Sequence, residues 1–118
     1  DRTRARQQIA QLYAQALEDT ADIRCPLNST FRSWFTYPIQ LLKADRNAVQ
    51  AGLLSTGIES ADYFPAIHLL PGFDQCVRCS GSLEVSEALG KSLISLPFSA
   101  SMKKADVETV TSALKAYL

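Results

Sequence analysis

The sequence predicts an α+β fold, a small, largely antiparallel sheet of about three strands packed with helices. Three observations predict it. Apolar residues recur at helical spacing near the start, in the middle and at the end of the chain. Between them lie short runs rich in aromatic and β-branched residues, bounded by proline, glycine or serine. The resulting order is helix, strand, helix, strand, short helix, strand, helix. Segregated helices packing one face of a small sheet would bury every one of these apolar stripes. A length of 118 residues bounds this to one domain with a modest core.

Asp1 to Glu18 reads as a helix, with Ile9, Leu12, Tyr13, Ala16 and Leu17 on one stripe. Its opening run, DRTRARQQ, favours helix without a clear cap, so the helix reads as already running at residue 1. That suggests a cut end or an interdomain helix, with a frayed natural terminus as the alternative. Asp19 to Arg32 is a connector rich in turn residues such as Asp22, Pro26 and Asn28. Ser33 to Leu42 reads as a strand carrying Trp34, Phe35, Tyr37, Ile39 and Leu41. Pro38 cannot donate to a ladder, which predicts a sheet edge or a bulge there.

Asp45 is an N-cap for a helix from Arg46 to Ser55, with Val49, Leu53 and Leu54 as its buried stripe. Gly57 stands where a left-handed residue ends a helix, and Ile58 can supply the accompanying apolar contact. Glu59 to Phe64 reads as a short strand leading into Pro65. Pro71-Gly72 marks a turn, after which Phe73, Cys76 and Val77 are placed to cover the core from a loop. Leu83 to Leu89 reads as a short helix stopped by Gly90, and Ser92 to Phe98 as a strand limited by Pro97. Ser99 to Met102 leads to a last helix, Lys103 to Tyr117, with Val107, Val110, Leu114 and Tyr117 on its stripe. There is no internal repeat.

Twelve lysines and arginines balance twelve aspartates and glutamates. A formal charge of zero gives no overall field toward nucleic acid or an anionic membrane, so neither is an expected partner. Arg2, Arg4 and Arg6 spread around a helix axis rather than forming a patch. No apolar run approaches the ~20 residues needed to span a bilayer. Three cysteines cannot all pair within the chain, and the arginine-rich start lacks a following apolar region. Together these point to a reducing, cytoplasmic setting.

Candidate chemistry is sparse. His68, the one histidine, could act as acid or base, because the imidazole group as a class titrates near neutrality. No nucleophile stands beside it in the sequence and no GxSxG turn supports a triad, which favours a structural role. Cys76 and Cys79 form one CxxC, which could exchange disulfides or supply half a zinc site, with Cys25 and His68 formally available. Ordinary thiols are the simpler reading. Asp62 and Tyr63, with Glu59, stand near a strand end where a ligand hydroxyl could bind; a half-buried core tyrosine is the alternative. Glu84 and Glu87 share a helix face, as solvated carboxylates commonly do. No phosphate-cradling glycine motif occurs.

Seven stretches carry a family resemblance: Arg6 to Leu17 (RQQIAQLYAQAL), Phe35 to Leu41, Asp45-Arg46, Leu53 to Ile58 (LLSTGI), Tyr63 to Leu69 (YFPAIHL), Ser95 to Phe98 (SLPF) and Asp106 to Leu114. In this order and spacing the chain resembles the C-terminal small domain of the DegT/DnrJ/EryC1/StrS aminotransferases. These are fold-type I, pyridoxal-phosphate-dependent enzymes, most of which aminate nucleotide-linked keto sugars. The resemblance implies that residues 1–118 form a single small domain and that the catalytic, cofactor-binding large domain lies elsewhere, in cis or in trans. It implies no catalytic or cofactor-binding residue here, with pyridoxal phosphate held in the full-length enzyme. Asp62, Tyr63 and His68 would stand at the rim of the substrate cleft. Lys43, Lys91, Lys103, Lys104 and Lys115 are the only lysines, and none matches the Schiff-base position. The chain alone would then be inactive, with glutamate as amino donor and a nucleotide-linked sugar as acceptor only in the whole enzyme, for which a homodimer is one expected assembly.

The chain also departs from the family pattern. Asp62 replaces a histidine before the tyrosine, and Glu84 matches a proline ahead of the short helix. Lys103 replaces a Ser/Thr cap, and a lysine side chain accepts no hydrogen bond. The last helix is therefore expected to start weakly or to shift toward Ser101. Two other functions compete. One is a stand-alone, non-catalytic interaction or oligomerisation module with an exposed apolar face. The other is an unrelated small enzyme centred on His68, which requires a deep pocket there.

Overall fold

The first helix, α1 (Arg2–Leu17), sets the core by burying Ile9, Ala10, Tyr13 and Leu17 on one face. It does have a cap: the Asp1 carboxylate accepts the Thr3 N–H at 3.0 Å. The computed structural model describes residues 1–118 other than 28, 30, 64, 74–77 and 79. After α1 come β1 (Ile23–Arg24), β2 (Tyr37–Leu41), α2 (Arg46–Ser55), a 3-10 turn (Ile67–Leu69), α3 (Glu84–Ser92), β3 (Leu93–Leu96) and α4 (Lys104–Lys115). The strands form one antiparallel sheet in the order β1-β2-β3. This is the α+β architecture expected from the sequence.

Tyr37, Ile39 and Leu41 of β2 are buried, as are Ile94 and Leu96 of β3. They share one core with Val49 and Leu53 of α2 and with Val107, Val110 and Leu114 of α4, against which α1 packs. Pro38 and Gln40, on the alternate face of β2, are half-buried.

Two expectations about the sheet need correction. β2 is its central strand, with no bulge in its pairing to β3. Pro38 is tolerated because it stands opposite Ser95, whose backbone groups serve Ala61 instead: the Ser95 N–H donates to the Ala61 carbonyl at 2.7 Å, and the Ala61 N–H donates back at 3.1 Å. The missing donor therefore faces the β1 side, where β1 has already ended, pairing only with Gln40 and Leu41. Second, the strand expected over Glu59 to Phe64 is reduced to that single Ala61–Ser95 bridge; Phe64 lies outside the described residues. The third strand comes from Ile23–Arg24, inside the supposed connector.

The helix limits hold with small shifts. α2 begins at the Asp45 cap, which accepts the Ala48 N–H at 2.9 Å. It ends in a Schellman pair, with Ile58 N–H to Leu53 O at 3.0 Å, Gly57 N–H to Leu54 O at 2.9 Å, and Gly57 at φ 80°. Leu54 is not part of the buried stripe: it is 62% exposed. α3 runs through Gly90 rather than stopping there. α4 begins after Lys103, not at Ser101, because the Asp106 carboxylate accepts the Lys103 N–H at 2.7 Å. This supplies one half of a capping box without help from the lysine side chain. Tyr117 lies beyond α4 with its ring against Gly52, where a Cβ would come within 2.5 Å. Phe73 is exposed and does not cover the core; Cys76, Val77 and Cys79 lie outside the described residues.

An aromatic cluster joins α1, β2 and the end of β3. Tyr13 stacks on Tyr37 at 4.8 Å, Trp34 on Tyr37 at 5.5 Å, and Phe98 lies 6.2 Å from Tyr37. The Tyr13 hydroxyl donates to the Pro97 carbonyl at 2.7 Å, and Trp34 Nε1 donates to Gln7 at 2.7 Å. Burial pushes both tyrosine hydroxyls above the usual phenol range, reinforced by Asp106 at Tyr13 and by Cys25 at Tyr37. In the unfolded chain both ionise near pH 10. Above that pH the unfolded state binds fewer protons than the folded one, so stability falls as pH rises. The expected slope is about 1.4 kcal/mol per pH unit for each tyrosine. Urea midpoints followed from about pH 9 to 11 check this, and the Tyr13→Phe, Tyr37→Phe double variant should flatten the fall.

Candidate functional site

The backbone leaving α2 meets the end of β3 and the first turns of α4 around an open groove of about 820 Å³. Ile58, Leu96, Phe98, Met102 and Val110 give it an apolar lining, with Phe35 and Tyr63 also against it. Both of these rings are largely solvent-exposed. Among the described residues, Glu59 and Asp106 are the only charged ones that line it. Ser60 Oγ is buried without a hydrogen-bond partner among the described residues.

Of the three residues proposed from sequence for a cleft rim, the groove takes in one. Tyr63 lines it. Asp62 instead approaches Arg46, with Oδ2 3.6 Å from Nη2, while Arg46 Nη1 donates to the Gly90 carbonyl at 2.6 Å. His68 sits in the 3-10 turn with Nε2 3.0 Å from Glu87 Oε1 on α3. Gly90 lies against Ala66, where a Cβ would be in ordinary contact at 3.4 Å from the Ala66 nitrogen. The first and last of these polar contacts tie Asp62 to α2 and His68 to α3.

His68 therefore has a carboxylate partner but does not line the groove, as an enzyme centred on it would require. Glu87 is a histidine partner rather than a merely solvated carboxylate. His68→Ala and Glu87→Ala are each expected to cost about 0.5–1.5 kcal/mol, with a coupling of similar size in the double variant. Chemical denaturation of the four proteins checks this; additive losses would contradict the pairing.

Arg46 and Glu87 went unnoticed as tethers in the sequence. Their only signals were an arginine just inside an N-cap and an acid in a first helical turn, both common on solvated helices. The groove's acids, Glu59 and Asp106, lie far apart in the chain and gave no joint signal. Among the described residues, no cluster of three histidine, cysteine, aspartate or glutamate side chains could hold a metal ion.

The groove does not fit a phosphorylated cofactor. Among the described residues it presents two carboxylates and no basic side chain, and a phosphate there would meet like charge. The lysines are engaged or placed elsewhere: Lys43 pairs with Asp22, Lys104 with Glu108 at 3.6 Å, and Lys115 donates to the Ala16 carbonyl at 2.8 Å.

Comparison with known proteins follows the same lines. No helix among the described residues is long and apolar enough to cross a membrane. No curated protein matches the chain significantly. Among solved structures, it is similar to a DegT DnrJ EryC1 StrS aminotransferase from Brucella abortus, at 28% identity and TM-score 0.85, over 99% of this chain and 31% of that one. It is similar to the aminotransferase TlmJ from Streptoalloteichus hindustanus at 25% identity and TM-score 0.83, over 98% and 31%. Helicobacter pylori PseC, an aminotransferase involved in the biosynthesis of pseudoaminic acid, shares the fold at 19% identity and TM-score 0.87, over 98% and 32%. The chain thus spans only 31–32% of the length of these structures. The pattern of one family matches residues 1–115, and on that match the chain belongs to the DegT/DnrJ/EryC1/StrS aminotransferase family.

Proposed function

We propose that residues 1–118 are the small domain of a pyridoxal-phosphate-dependent aminotransferase acting on nucleotide-linked keto sugars, with glutamate as amino donor. One observation carries this reading: a family match over residues 1–115 in a chain only 31% as long as its structural relatives. The remaining two-thirds of such an enzyme, in cis or in trans, would supply the Schiff-base lysine and the phosphate contacts. The cofactor supplies the electron sink for the amino transfer. No step is assigned to it in this chain, whose groove is acidic.

The contribution of these residues is to shape and close one side of the cleft. Tyr63 offers a ring and a hydroxyl at the groove. Asp62 and His68, through Arg46 and Glu87, hold the segment that carries Tyr63. All three remain rim residues in this reading, with Asp62 and His68 as positioning residues. The enzyme would work in the cytoplasm, in keeping with an odd number of cysteines.

The isolated chain is expected to show no transaminase activity and no stoichiometric absorbance from lysine-bound cofactor after incubation with pyridoxal phosphate and glutamate. A stoichiometric band, traced by mass to one of the five lysines, would sink the reading. A second function, a stand-alone interaction or oligomerisation module, draws support from the exposed Leu27, Phe31 and Phe35. Stable self-association through that apolar surface, without any large domain, would favour it.

A further inference from the structure

We propose that the groove between the segment 57–63, the end of β3 and α4 binds a small organic cation: a primary ammonium carried on an apolar or aromatic body. The inference concerns the groove's own chemistry, goes beyond the aminotransferase reading and does not rest on it.

The groove has the size and the walls of a small-molecule site. Its volume of about 820 Å³ falls in the range of roughly 300–1,000 Å³ usual for ligand pockets. Ile58, Phe98, Met102 and Val110 give it an apolar surface, and the exposed rings of Phe35 and Tyr63 stand against it. Aromatic rings in such a place hold an apolar body and also attract a cation through the ring quadrupole.

Charge selects the ligand. Among the described residues, the charges on the lining are the carboxylates of Glu59 and Asp106. The Asp106 charge is partly answered, because its Oδ2 accepts the Lys103 N–H at 2.7 Å at the positive end of α4. Glu59 is exposed and forms no ion pair among the described residues. Ser60 follows it on the lining, and its Oγ is buried without a hydrogen-bond partner among the described residues. No hydrogen bond holds that hydroxyl in place, so it is available to accept an N–H. Glu59 and Ser60 also line a second hollow of about 390 Å³ beside Gln50, Ala51 and Leu54, so the pair stands where two hollows meet. An ammonium at Glu59 would meet a carboxylate and a hydroxyl while its body lay on the apolar wall. A neutral ligand of the same shape leaves the carboxylate unanswered, and an anionic one meets like charge.

Phenethylamine titrated into the full 118-residue chain, with binding followed by amide chemical shifts, tests this. The comparison ligands are 2-phenylethanol and 3-phenylpropanoate, which keep the phenylethyl body but carry no charge and a negative charge. The expected result is saturable binding of the amine with a Kd of about 1 mM or tighter. The largest shifts should fall in residues 57–63, 95–99 and 106–110. The alcohol should bind ~10-fold more weakly, and the carboxylate should not saturate. Glu59→Gln should weaken the amine at least ~5-fold and leave the alcohol within ~2-fold, and added salt should weaken the amine alone. Phe35→Ser should weaken both amine and alcohol. Both substituted residues are exposed, and thermal melts by circular dichroism verify that each variant is folded. Four results would overturn the proposal. They are no saturation by the amine, equal affinity for amine and alcohol, an amine affinity indifferent to Glu59→Gln, and shifts that map away from the groove. None of them bears on whether a separate large domain holds a cofactor.

Discussion

Replacing Tyr37 with alanine is expected to cost about 3–5 kcal/mol, the largest loss from any single truncation of the sheet. Tyr37 opens the central strand and is 1% exposed. Its ring is the hub of the aromatic cluster, in contact with Tyr13, Trp34 and Phe98. Truncation would leave a ring-sized cavity walled by three large side chains that cannot all move into it. A chain of this size has about 5–15 kcal/mol of stability in total, so such a loss would populate unfolded protein at modest temperature. Tyr37→Phe keeps the ring and removes only the hydroxyl beside Cys25, so it should stay within about 1 kcal/mol of the parent. Urea unfolding of both variants decides the matter. Similar losses from the two would mean that the hydroxyl, not the ring, holds this part of the core.

Leu53→Ala should cost about 2–5 kcal/mol, while Leu54→Ala one residue later should fall within about 0.5 kcal/mol of the parent. Leu53 is fully buried and Leu54 is 62% exposed. The reason is helix phase. Val49 and Leu53 are four apart and stack on one face, whereas Leu54 is turned about 100° further round, toward solvent. The same denaturant titration measures both, and comparable losses would contradict the placement of α2.

Leu54 also illustrates what the sequence did and did not reveal. Its helix was legible from the Asp45 cap, the Gly57 stop and the 3.6-residue period, and all three hold. A leucine at the margin of the stripe could not be assigned by period alone, because an apolar residue costs little on a surface. β1 was missed for a different reason. Two residues make no period, and Ile23–Arg24 is held in the sheet by its pairing with Gln40 and Leu41 rather than by its own preference. Pro38 misled because the edge rule concerns the missing donor, and here that donor faces a place the neighbouring strand does not reach. Gly90 resembled a helix stop, but α3 continues through it to Ser92.

The site was legible only in part, for a similar reason. Asp62, Tyr63 and His68 lie close together in the chain, yet each turns to a different partner: Arg46, the groove and Glu87. Those partners come from α2, from β3 and α4, and from α3, and no local pattern links them. The order and spacing of the seven family stretches carried further than any single residue did, since they fall on every element of the fold except β1 and α3.

The mass and composition of the native polypeptide that carries this sequence test the central claim most directly. If these residues are an aminotransferase small domain, that polypeptide is roughly three times as long as this chain or co-purifies with a separate large domain, given relatives of which the chain covers 31%. Borohydride reduction should then fix pyridoxal phosphate on a lysine outside residues 1–118. A native protein of 12.9 kDa with no large-domain partner, or a cofactor fixed on one of Lys43, Lys91, Lys103, Lys104 and Lys115, would contradict it.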